Sequence, residues 1–323
     1  MKDPFKDKTI LITGGAGSFG QKFIEIVLKE HNPKSLRVYD NRELAQVEIE
    51  RKFKDPRLRF LIGDVRDTCR LNRAMNGVDI VVHAAALKHV PVCEYNPIEA
   101  IKTNIDGAIN VIDAAINNSV KKVIAISTDK AVQPVNLYGA TKMVAEKLFI
   151  QGNNYSGNKK TIFSCSRYGN VIGSSGSVVP LFKKQKEEGE VTITDEKMTR
   201  FWITLEQGIK FVINCVEIMQ GGEIFVPKIS STKIMDLAKA IAPDSKIKVI
   251  GARSGEKINE ILLIPEEARH SKELDKCFVI EPEFPFWRCD NFKEGKPLPE
   301  GFRYASNDSK WLKKDLKGML NEA

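Results

Sequence analysis

The fold is decided by one stretch near the start of the chain, Thr9-Ile10-Leu11-Ile12-Thr13-Gly14-Gly15-Ala16-Gly17-Ser18-Phe19-Gly20. Its first five residues are apolar or β-branched and predict a short buried strand. Glycines follow at positions 14, 17 and 20, and apolar residues then recur at helical spacing at Phe23, Ile26 and Val27. Small residues between a first strand and a first helix let the backbone approach a pyrophosphate, which the N–H groups of the helix terminus can bind. The spacing is GxxGxxG rather than GxGxxG, and its position predicts a dinucleotide-binding turn.

Strand-like and helix-like segments alternate from residue 9 to residue 150. This alternation predicts an α/β fold with a parallel, doubly wound sheet of the Rossmann type. We assign residues 1–170 to a dinucleotide-binding domain, to which parts of 200–227 return. The pattern is less regular in 171–199 and 228–323, which we assign to a smaller substrate-binding domain.

The charge of the chain narrows the class of partner. The 323 residues carry a net charge of +8, and the pI is near 9.0. A phosphorylated metabolite suits this charge, and so does a basic surface that is merely solvated. No basic helix or aromatic platform indicates nucleic acid binding. No apolar run approaches the roughly 20 residues that cross a bilayer, so we expect neither a nucleic-acid nor a membrane partner.

The cysteines predict the compartment. Six of them are scattered along the chain without a CxxC pair or a metal-ligand spacing. Such cysteines are typical of reduced thiols, so we expect a cytoplasmic protein with neither a disulfide framework nor a metal site. Eight residues precede the first strand, which leaves no room for a signal peptide.

A long helix is predicted to begin at Asn96-Pro97, since proline is well tolerated in a first helical turn. Its apolar residues, among them Ile101, Ile105 and Ile109, cover more than one stripe of the helix surface. We therefore expect this helix to face a partner subunit as well as the core, as in a homo-oligomer.

The second strand ends at Asp40, and Arg42 follows it closely. An acid at this position binds the adenosine ribose and favours NAD, whereas an arginine can hold the 2′-phosphate of NADP. The residues themselves leave the choice between NAD and NADP open.

Asp64, after the third strand, is interpreted as an acceptor for the adenine amino group, with helix capping as its alternative role. The predicted cofactor contacts are Gly14, Ala16, Gly17, Ser18, Phe19, Gly20, Asp40, Asn41, Arg42, Asp64, Val65, Ala84, Ala86, Lys88, Tyr138 and Lys142.

Polar residues Ser127-Thr128-Asp129-Lys130 end the central strand, at the sheet edge where ligands bind in open α/β proteins. Tyr138 and Lys142 lie four residues apart and so project from one face of the next helix. An ammonium group there would lower the pKa of Tyr138 and make it a usable base. The alternative is a solvated lysine beside a half-buried tyrosine.

Four longer motifs give the chain a specific resemblance. They are Ala85-Ala86-Leu87-Lys88-His89-Val90-Pro91, Ser127-Thr128-Asp129-Lys130-Ala131, Arg167-Tyr168-Gly169-Asn170-Val171 and Met198-Thr199-Arg200-Phe201-Trp202-Ile203. With these motifs, the chain from residue 8 to 265 resembles the extended short-chain dehydrogenase/reductases, and more narrowly the inverting UDP-N-acetylglucosamine 4,6-dehydratases that lead to pseudaminic acid. The chain departs from that family at Asp40-Asn41-Arg42-Glu43, where members using NADP commonly show Ser-Arg-Asp-Glu.

The resemblance implies roles for the residues at the end of the central strand. Tyr138, assisted by Lys142 and Thr128, would take the proton of the 4-hydroxyl of UDP-N-acetylglucosamine. Lys130 would remove the proton on carbon 5, for which its pKa must be lowered by burial or by Lys142, and Asp129 would protonate the leaving 6-hydroxyl. The implied cofactor is a tightly bound, recycled NADP or NAD. The implied substrate contacts are Lys88, Asn170, Val171, Ser177, Arg200, Arg253 and Glu256.

Two kinds of rival function stay open at this point. One is a retaining 4,6-dehydratase or a 4-epimerase acting on the same type of substrate. An epimerase has no use for the Asp129 and Lys130 pair. The other is a scaffold that binds NAD(P) without turnover, for which the complete set of tyrosine, aspartate and two lysines would be unnecessary.

Overall fold

The computed structural model describes residues 3–173, 178–283, 291–308 and 310–312. In chain order the strands are β1 (Thr9–Thr13), β2 (Ser35–Asp40), β3 (Leu58–Ile62), β4 (Ile80–His83), β5 (Lys122–Thr128), β6 (Ile162–Tyr168), β7 (Asn170–Ile172), β8 (Glu190–Ile193), β9 (Thr199–Thr204), β10 (Ile224–Pro227), β11 (Ser230–Lys233), β12 (Lys246–Val249), β13 (Ile261–Leu263), β14 (Ser271–Glu273), β15 (Cys277–Ile280), β16 (Lys296–Pro297) and β17 (Tyr304–Ala305).

The α-helices are α1 (Ser18–Glu30), α2 (Glu43–Phe53), α3 (Thr68–Met75), α4 (Val90–Tyr95), α5 (Pro97–Ile101), α6 (Gly107–Asn117), α7 (Leu137–Tyr155), α8 (Val178–Glu187), α9 (Leu205–Ile218), α10 (Ile234–Ile241) and α11 (Pro265–Ala268). A π-helical turn, Lys102–Asp106, joins α5 to α6, and short 3₁₀ turns occupy Asp129–Ala131 and Gly157–Lys159.

The main sheet has ten strands in the order β16-β14-β15-β10-β6-β5-β4-β1-β2-β3. The strands from β3 across to β10 pair in parallel, and β15, β14 and β16 add antiparallel pairs at one side. The chain winds in one direction from β1 to β3 and in the other from β4 onward. A crevice at such a reversal of strand order is where open α/β sheets bind ligands. The predicted doubly wound α/β fold is confirmed.

The sheet is buried on both faces, as the alternation of side chains along β1 shows. Leu11 belongs to a core that includes Val111 of α6 and Phe149 of α7. Ile10 and Ile12 point the other way, into a core that contains residues of α1 and α9. Burial on both faces explains why these strands read as continuous apolar runs.

A second, smaller core lies outside the main sheet. It gathers Phe182 of α8, Val191 of β8, Trp202 of β9 and Leu237 of α10. The small sheets β11-β9-β7 and β12-β8 accompany it. Strand β10, which lies within the 200–227 region, pairs in parallel with β6 of the main sheet. The sequence pattern did not indicate that β14, β15 and β16 also extend the main sheet, and the predicted domain boundaries remain a prediction.

Candidate active site

The glycine turn after β1 has the geometry that a dinucleotide needs. Gly14 has a φ of +66°, and a Cβ placed on it would lie 2.8 Å from the Cα of Ala85, at the end of β4. Only glycine suits such a backbone without strain. The N-cap of α1 is Gly17, which places no side chain on the first-turn N–H groups. A pyrophosphate can therefore approach these groups, and the turn fits a nicotinamide dinucleotide.

The predicted cofactor residues after β2 and β3 form a connected polar edge. Asp40 accepts the N–H of Ala16 at 3.0 Å and pairs with the Nε and Nη2 of Arg42, each at 3.0 Å. Asn41 donates to the carboxylate of Asp64 at 3.2 Å. The helix-capping role considered for Asp64 belongs instead to Asp67, whose side chain accepts the N–H of Arg70.

The segment after β4 is held by Asn104, which lies in the π-helical turn. Its amide oxygen accepts the N–H of Leu87 at 2.9 Å, and its nitrogen donates to the Leu87 carbonyl at 2.9 Å and to Thr141 at 3.0 Å. The wider π turn places this buried side chain between Leu87 and helix α7. Asn104 thus fixes Ala84, Ala86 and Lys88 relative to the helix that carries Tyr138.

Helix α7 begins directly on the strand-end residues. Asn136 caps it by accepting the N–H of Gly139 at 2.7 Å. A Cβ on Gly139 would overlap the carbonyl oxygen of Lys130, so a side chain at this position would push the helix away. The glycine after Tyr138 therefore lets the helix start in contact with the Asp129–Lys130 turn. The structure brings together the predicted catalytic residues Thr128, Asp129, Lys130 and Tyr138.

Asp129 and Lys130 form an ion pair in which the aspartate is fully buried. The Nζ of Lys130 lies 3.0 Å from Oδ1 of Asp129, and the hydroxyl of Thr128 donates to the same oxygen at 2.9 Å. The Asp129 side chain is 0% exposed and that of Lys130 is 22% exposed. The other oxygen of Asp129, Oδ2, is buried and has no hydrogen-bond partner within the described ranges. An unpaired buried carboxylate oxygen is costly, and a proton on it reduces that cost.

A second acid, Glu260, completes this cluster and was not predicted from the sequence. Its side chain is 2% exposed, and its Oε1 lies 3.4 Å from the Nζ of Lys130. Arg200 and Lys257 approach the same carboxylate at 3.7 Å and 3.6 Å. Ser306 fixes the Glu260 backbone by accepting its N–H at 2.9 Å. The only signal in the sequence is a single acid between Asn259 and the apolar run Ile261-Leu262-Leu263, which is too common to identify a site.

The pKa of Lys130 differs from the expectation. Burial lowers this pKa, but the charges of Asp129 and Glu260 more than offset the effect, so the pKa is raised. The prediction of a lowered Lys130 pKa is therefore wrong. Burial and the charge of Glu260 raise the pKa of Asp129, although Lys130 opposes the shift. Both shifts favour protonation, so the pair holds its protons tightly.

The expected effect of Lys142 on Tyr138 is also wrong. Burial raises the pKa of Tyr138 to about 12, and the cation that lowers it is Lys130. Lys142 instead donates to the carbonyl of Ile126 at 2.6 Å, and burial lowers its own pKa. The ammonium of Lys142 is thereby committed to the end of β5, which explains its weak influence on the phenol.

The predicted substrate residues come from separate segments of the chain. Asn170 and Val171 form part of β7, and the amide oxygen of Asn170 is buried without a hydrogen-bond partner among the described residues. Arg200 donates to the carbonyls of Thr199, Ile258 and Lys257, so protein groups already hold most of its N–H groups. Ser177 lies outside the described residues.

The loop containing Arg253 and Glu256 reaches the catalytic helix. The carbonyl of Gly255 accepts the side-chain N–H of Asn136 at 2.7 Å, two residues before Tyr138. The backbone N–H of Arg253 donates to Glu256 at 3.3 Å, and the Arg253 side chain is exposed. A loop anchored at the start of α7 is well placed to close over a ligand.

The motif around Arg167 has a structural role. Arg167 is buried and makes paired hydrogen bonds to Glu146 of α7, at 2.9 and 2.8 Å, and to Glu267 of α11, at 3.0 and 2.9 Å. Such bidentate pairs fix geometry as well as charge. These hydrogen bonds hold α7 against α11, which follows Glu260 closely in the chain.

No helix in the described part of the chain is long and apolar enough to cross a membrane. No group of three or more metal-binding side chains occurs there either.

Comparison with known proteins places this site in context. Residues 10–282 match the model of the family described as polysaccharide biosynthesis protein. A Campylobacter jejuni protein named UDP-N-acetylglucosamine 4,6-dehydratase (inverting) is 51% identical, over 98% of this chain and 98% of its own. A Rickettsia akari protein named UDP-glucose 4-epimerase is 44% identical, over 85% of this chain and 83% of its own. The solved structure of Pen from Bacillus thuringiensis is 39% identical, with a TM-score of 0.91 over 98% of each chain.

Proposed function

Because the chain belongs to the polysaccharide biosynthesis protein family, we propose that it is a lyase that removes water from UDP-N-acetylglucosamine. The enzyme is a 4,6-dehydratase that yields a 6-deoxy-4-keto sugar with inversion at carbon 5. The observation that carries this function is the ion pair of the buried Asp129 and the partly buried Lys130 beside Tyr138, at the carboxyl edge of the sheet. Oxidation and reduction alone need no such acid and base, whereas elimination of water needs both.

The reaction begins with oxidation of sugar carbon 4, in which Tyr138 acts as the base. A bound nicotinamide would accept a hydride from sugar carbon 4 and later supply one to carbon 6. Tyr138 takes the proton of the 4-hydroxyl. The charge of Lys130 and a hydrogen bond with Thr128 both favour the phenolate, against the opposing effect of burial.

Elimination then requires a neutral Lys130, which can accept a proton, and a protonated Asp129, which can donate one. This working state contains the same number of protons as the ion pair, because one proton moves over the 3.0 Å contact from Lys130 to Asp129. Burial lowers the cost of this transfer because it disfavours both charges, while the charge of Glu260 favours a proton on either side chain. Lys130 takes the proton from carbon 5, and Asp129 gives its proton to the hydroxyl leaving carbon 6 as water. The ion pair is thereby restored. When carbon 6 gains a hydride, carbon 5 must gain a proton, which Lys130 would supply from the opposite face, and the proton that Tyr138 took from the 4-hydroxyl would then replace it on Lys130.

The test of this function is the mass of the product. Pure enzyme with UDP-N-acetylglucosamine is expected to give a sugar nucleotide lighter by one water. The Rickettsia relative makes a 4-epimerase the rival, and an epimer would have the mass of the substrate. A scaffold without turnover would return the substrate unchanged. Either of these results would reject the dehydratase function.

Glu260 is proposed to set the pH range in which the pair works. Its negative charge raises the pKa values of both Lys130 and Asp129. A pair that needs one shared proton is active between its two pKa values. Glu260→Gln removes the charge and lowers both values, so the bell-shaped pH profile of kcat should move to lower pH. The position of the profile is the expected change, whereas loss of an acid or base itself would lower kcat by about 10²–10⁴.

Two variants control the Glu260 experiment. Glu260→Asp keeps the charge and should keep the position of the pH profile, even if kcat falls. Glu266→Gln removes a charge from an exposed residue and should change neither quantity. A Glu260→Gln enzyme with reduced kcat and an unmoved profile would assign Glu260 a purely structural role.

We propose NADP as the cofactor. The carboxylate of Asp40 already accepts four side-chain or backbone donors from Ala16 and Arg42, which leaves it poorly placed to accept ribose hydroxyls. The Arg42 side chain is 54% exposed, and its Nη2 lies 3.8 Å from where a Cβ on Gly17 would be. A guanidinium in that place suits a 2′-phosphate.

Arg42→Gln tests the choice of cofactor. We expect it to weaken NADP binding by about tenfold, the value of one charged hydrogen bond, and to change NAD binding little. Calorimetric titration of the enzyme freed of cofactor would give both affinities. Arg51→Gln, on the exposed part of α2, is the matched control. An equal loss for both cofactors would contradict a 2′-phosphate contact.

A homo-oligomer is proposed from the surface of α4 to α6. Tyr95 is 88% exposed and Ile98 is 64% exposed, and Val92, Ile101 and Ile109 extend the same apolar face. Adjacent exposed apolar residues of this kind mark protein contacts.

The proposed cytoplasmic location rests on the cysteines, since Cys69, Cys93, Cys165, Cys215 and Cys277 are all free thiols.

A further inference from the structure

A basic cavity of about 610 Å³ lies at the sheet edge opposite the active site. Thr9 lines it at the start of β1, whereas the glycine turn follows the end of that strand. Strands β2 and β3, the carboxyl end of α3 and the turn at Asn76 supply the other walls. We call this the arginine cavity. Its cationic side chains are Lys34, Arg37, Arg59, Arg70 and Arg73.

The cations of the arginine cavity have no acidic partner. No carboxylate in the part of the chain that the structure describes lies within 4.0 Å of any of the five charged groups. Asp79, near Thr9, is occupied by the Thr9 N–H at 3.0 Å and by Lys121 at 2.8 Å. Asp67 accepts the backbone N–H of Arg70 at 2.9 Å, not its guanidinium. The cavity therefore carries an uncompensated positive charge.

Two of these arginines oppose each other within the sheet. Arg37 of β2 and Arg59 of β3 are direct partners in the register of the parallel pair. Like charges directly opposite each other on neighbouring strands destabilise a sheet. Arg37 is also partly buried, which lowers the pKa of its guanidinium. A bound anion would offset both costs.

Three of the four guanidinium groups, those of Arg37, Arg59 and Arg70, are held in place by backbone carbonyls. Nη1 of Arg37 donates to the carbonyls of Ala74 and Asn76 at 2.6 and 2.7 Å. Nη1 of Arg59 donates to the Leu58 carbonyl at 2.6 Å, and Nε of Arg70 donates to the Ile62 carbonyl at 2.8 Å. Each guanidinium is thus oriented through one nitrogen. Its remaining N–H groups can bind an anion without further loss of side-chain freedom.

We propose that the arginine cavity binds a small anion with at least two phosphoryl groups, such as a nucleoside diphosphate or triphosphate. The planar fork of arginine matches phosphate oxygens in pairs. A volume of about 610 Å³ is within the range of about 300–1,000 Å³ that holds small ligands. Leu61 and Ala74 add an apolar wall, and Thr9 and Ser35 add hydroxyls, which suit a nucleoside next to the phosphates.

The test titrates the full chain with inorganic tripolyphosphate and, separately, with ATP. Calorimetry is expected to show one tripolyphosphate per chain that is lost in the cavity variants described next, with an affinity that falls as salt rises. Arg59→Gln with Arg73→Gln changes two exposed residues of the cavity and should weaken binding at least tenfold. Arg51→Gln with Lys52→Gln removes the same charge from exposed α2 and should leave the affinity unchanged. Dehydratase activity should be the same in both double variants.

The outcomes separate the possible ligands. ATP binding tighter than tripolyphosphate, and weakened by the cavity variants alone, supports a nucleotide. Tripolyphosphate binding that is as tight as that of ATP, with the same dependence on Arg59 and Arg73, supports recognition of the phosphates only. Equal losses in the two double variants would reduce the effect to net charge and overturn the proposal. Binding of duplex DNA without either small anion would overturn it as well.

Discussion

Lys130→Met is expected to lower the rate of water loss from UDP-N-acetylglucosamine by about 10²–10⁴, the contribution of a positioned base. Methionine has a similar length but cannot take a proton. Deuterium from solvent should no longer enter carbon 5 of the sugar, because Lys130 is the group proposed to remove that proton. Cofactor affinity should stay near its original value, since the glycine turn and Arg42 are separate from Lys130. Product formation and deuterium content can be followed together by mass spectrometry.

Retained cofactor binding also serves as the folding control for Lys130→Met. The substitution leaves Asp129 and Glu260 near each other without the cation between them, so some loss of stability is expected. Thermal unfolding with and without cofactor separates that loss from the loss of chemistry. Turnover at the original rate in a folded Lys130→Met enzyme would remove Lys130 from the mechanism.

Asp129→Asn should separate the two halves of the elimination. Asparagine keeps the shape of the side chain but provides no proton for the hydroxyl on carbon 6, so water loss should fall by about 10²–10⁴. Lys130 should still act as a base, because loss of the Asp129 charge removes one of the two charges that raise its pKa. We therefore expect deuterium to enter carbon 5 of recovered substrate while dehydration is nearly abolished.

Two variants serve as controls for the Asp129→Asn experiment. Asp195→Asn, in a turn outside the cluster, should leave both exchange and water loss unchanged. Lys130→Met should lose both. If Asp129→Asn also lost exchange at carbon 5 while still binding cofactor, the two residues could not be assigned separate proton transfers.

Local patterns allowed the sheet and the cofactor turn to be predicted. The run Thr9–Thr13 and the glycines after it specify a strand and a close backbone approach through their own chemistry. The four-residue spacing of Tyr138 and Lys142 likewise predicts, from local sequence alone, that they share a face of α7. Strands β14, β15 and β16 were not assigned to the main sheet from the sequence, because pairing between distant strands leaves little signal in a single sequence.

The electrostatics of the site could not be predicted in the same way. The pKa of Lys130 depends on Glu260, which is distant in the chain and reaches the site only through the fold. Lys142 was expected to act on Tyr138 because the two are close in sequence, yet its ammonium binds the Ile126 carbonyl. Spacing along a helix predicts a shared face but not which of several partners a flexible side chain contacts.

The most direct measurement is an NMR analysis of the product formed in deuterated water. If Lys130 removes the carbon 5 proton and Asp129 expels the 6-hydroxyl, the product is a 4-keto sugar with a 6-methyl group, one solvent deuterium on carbon 5 and the inverted L-arabino configuration there. A product that has kept the original hydrogen on carbon 5, or that still carries the 6-hydroxyl, would contradict the proposed roles of this pair.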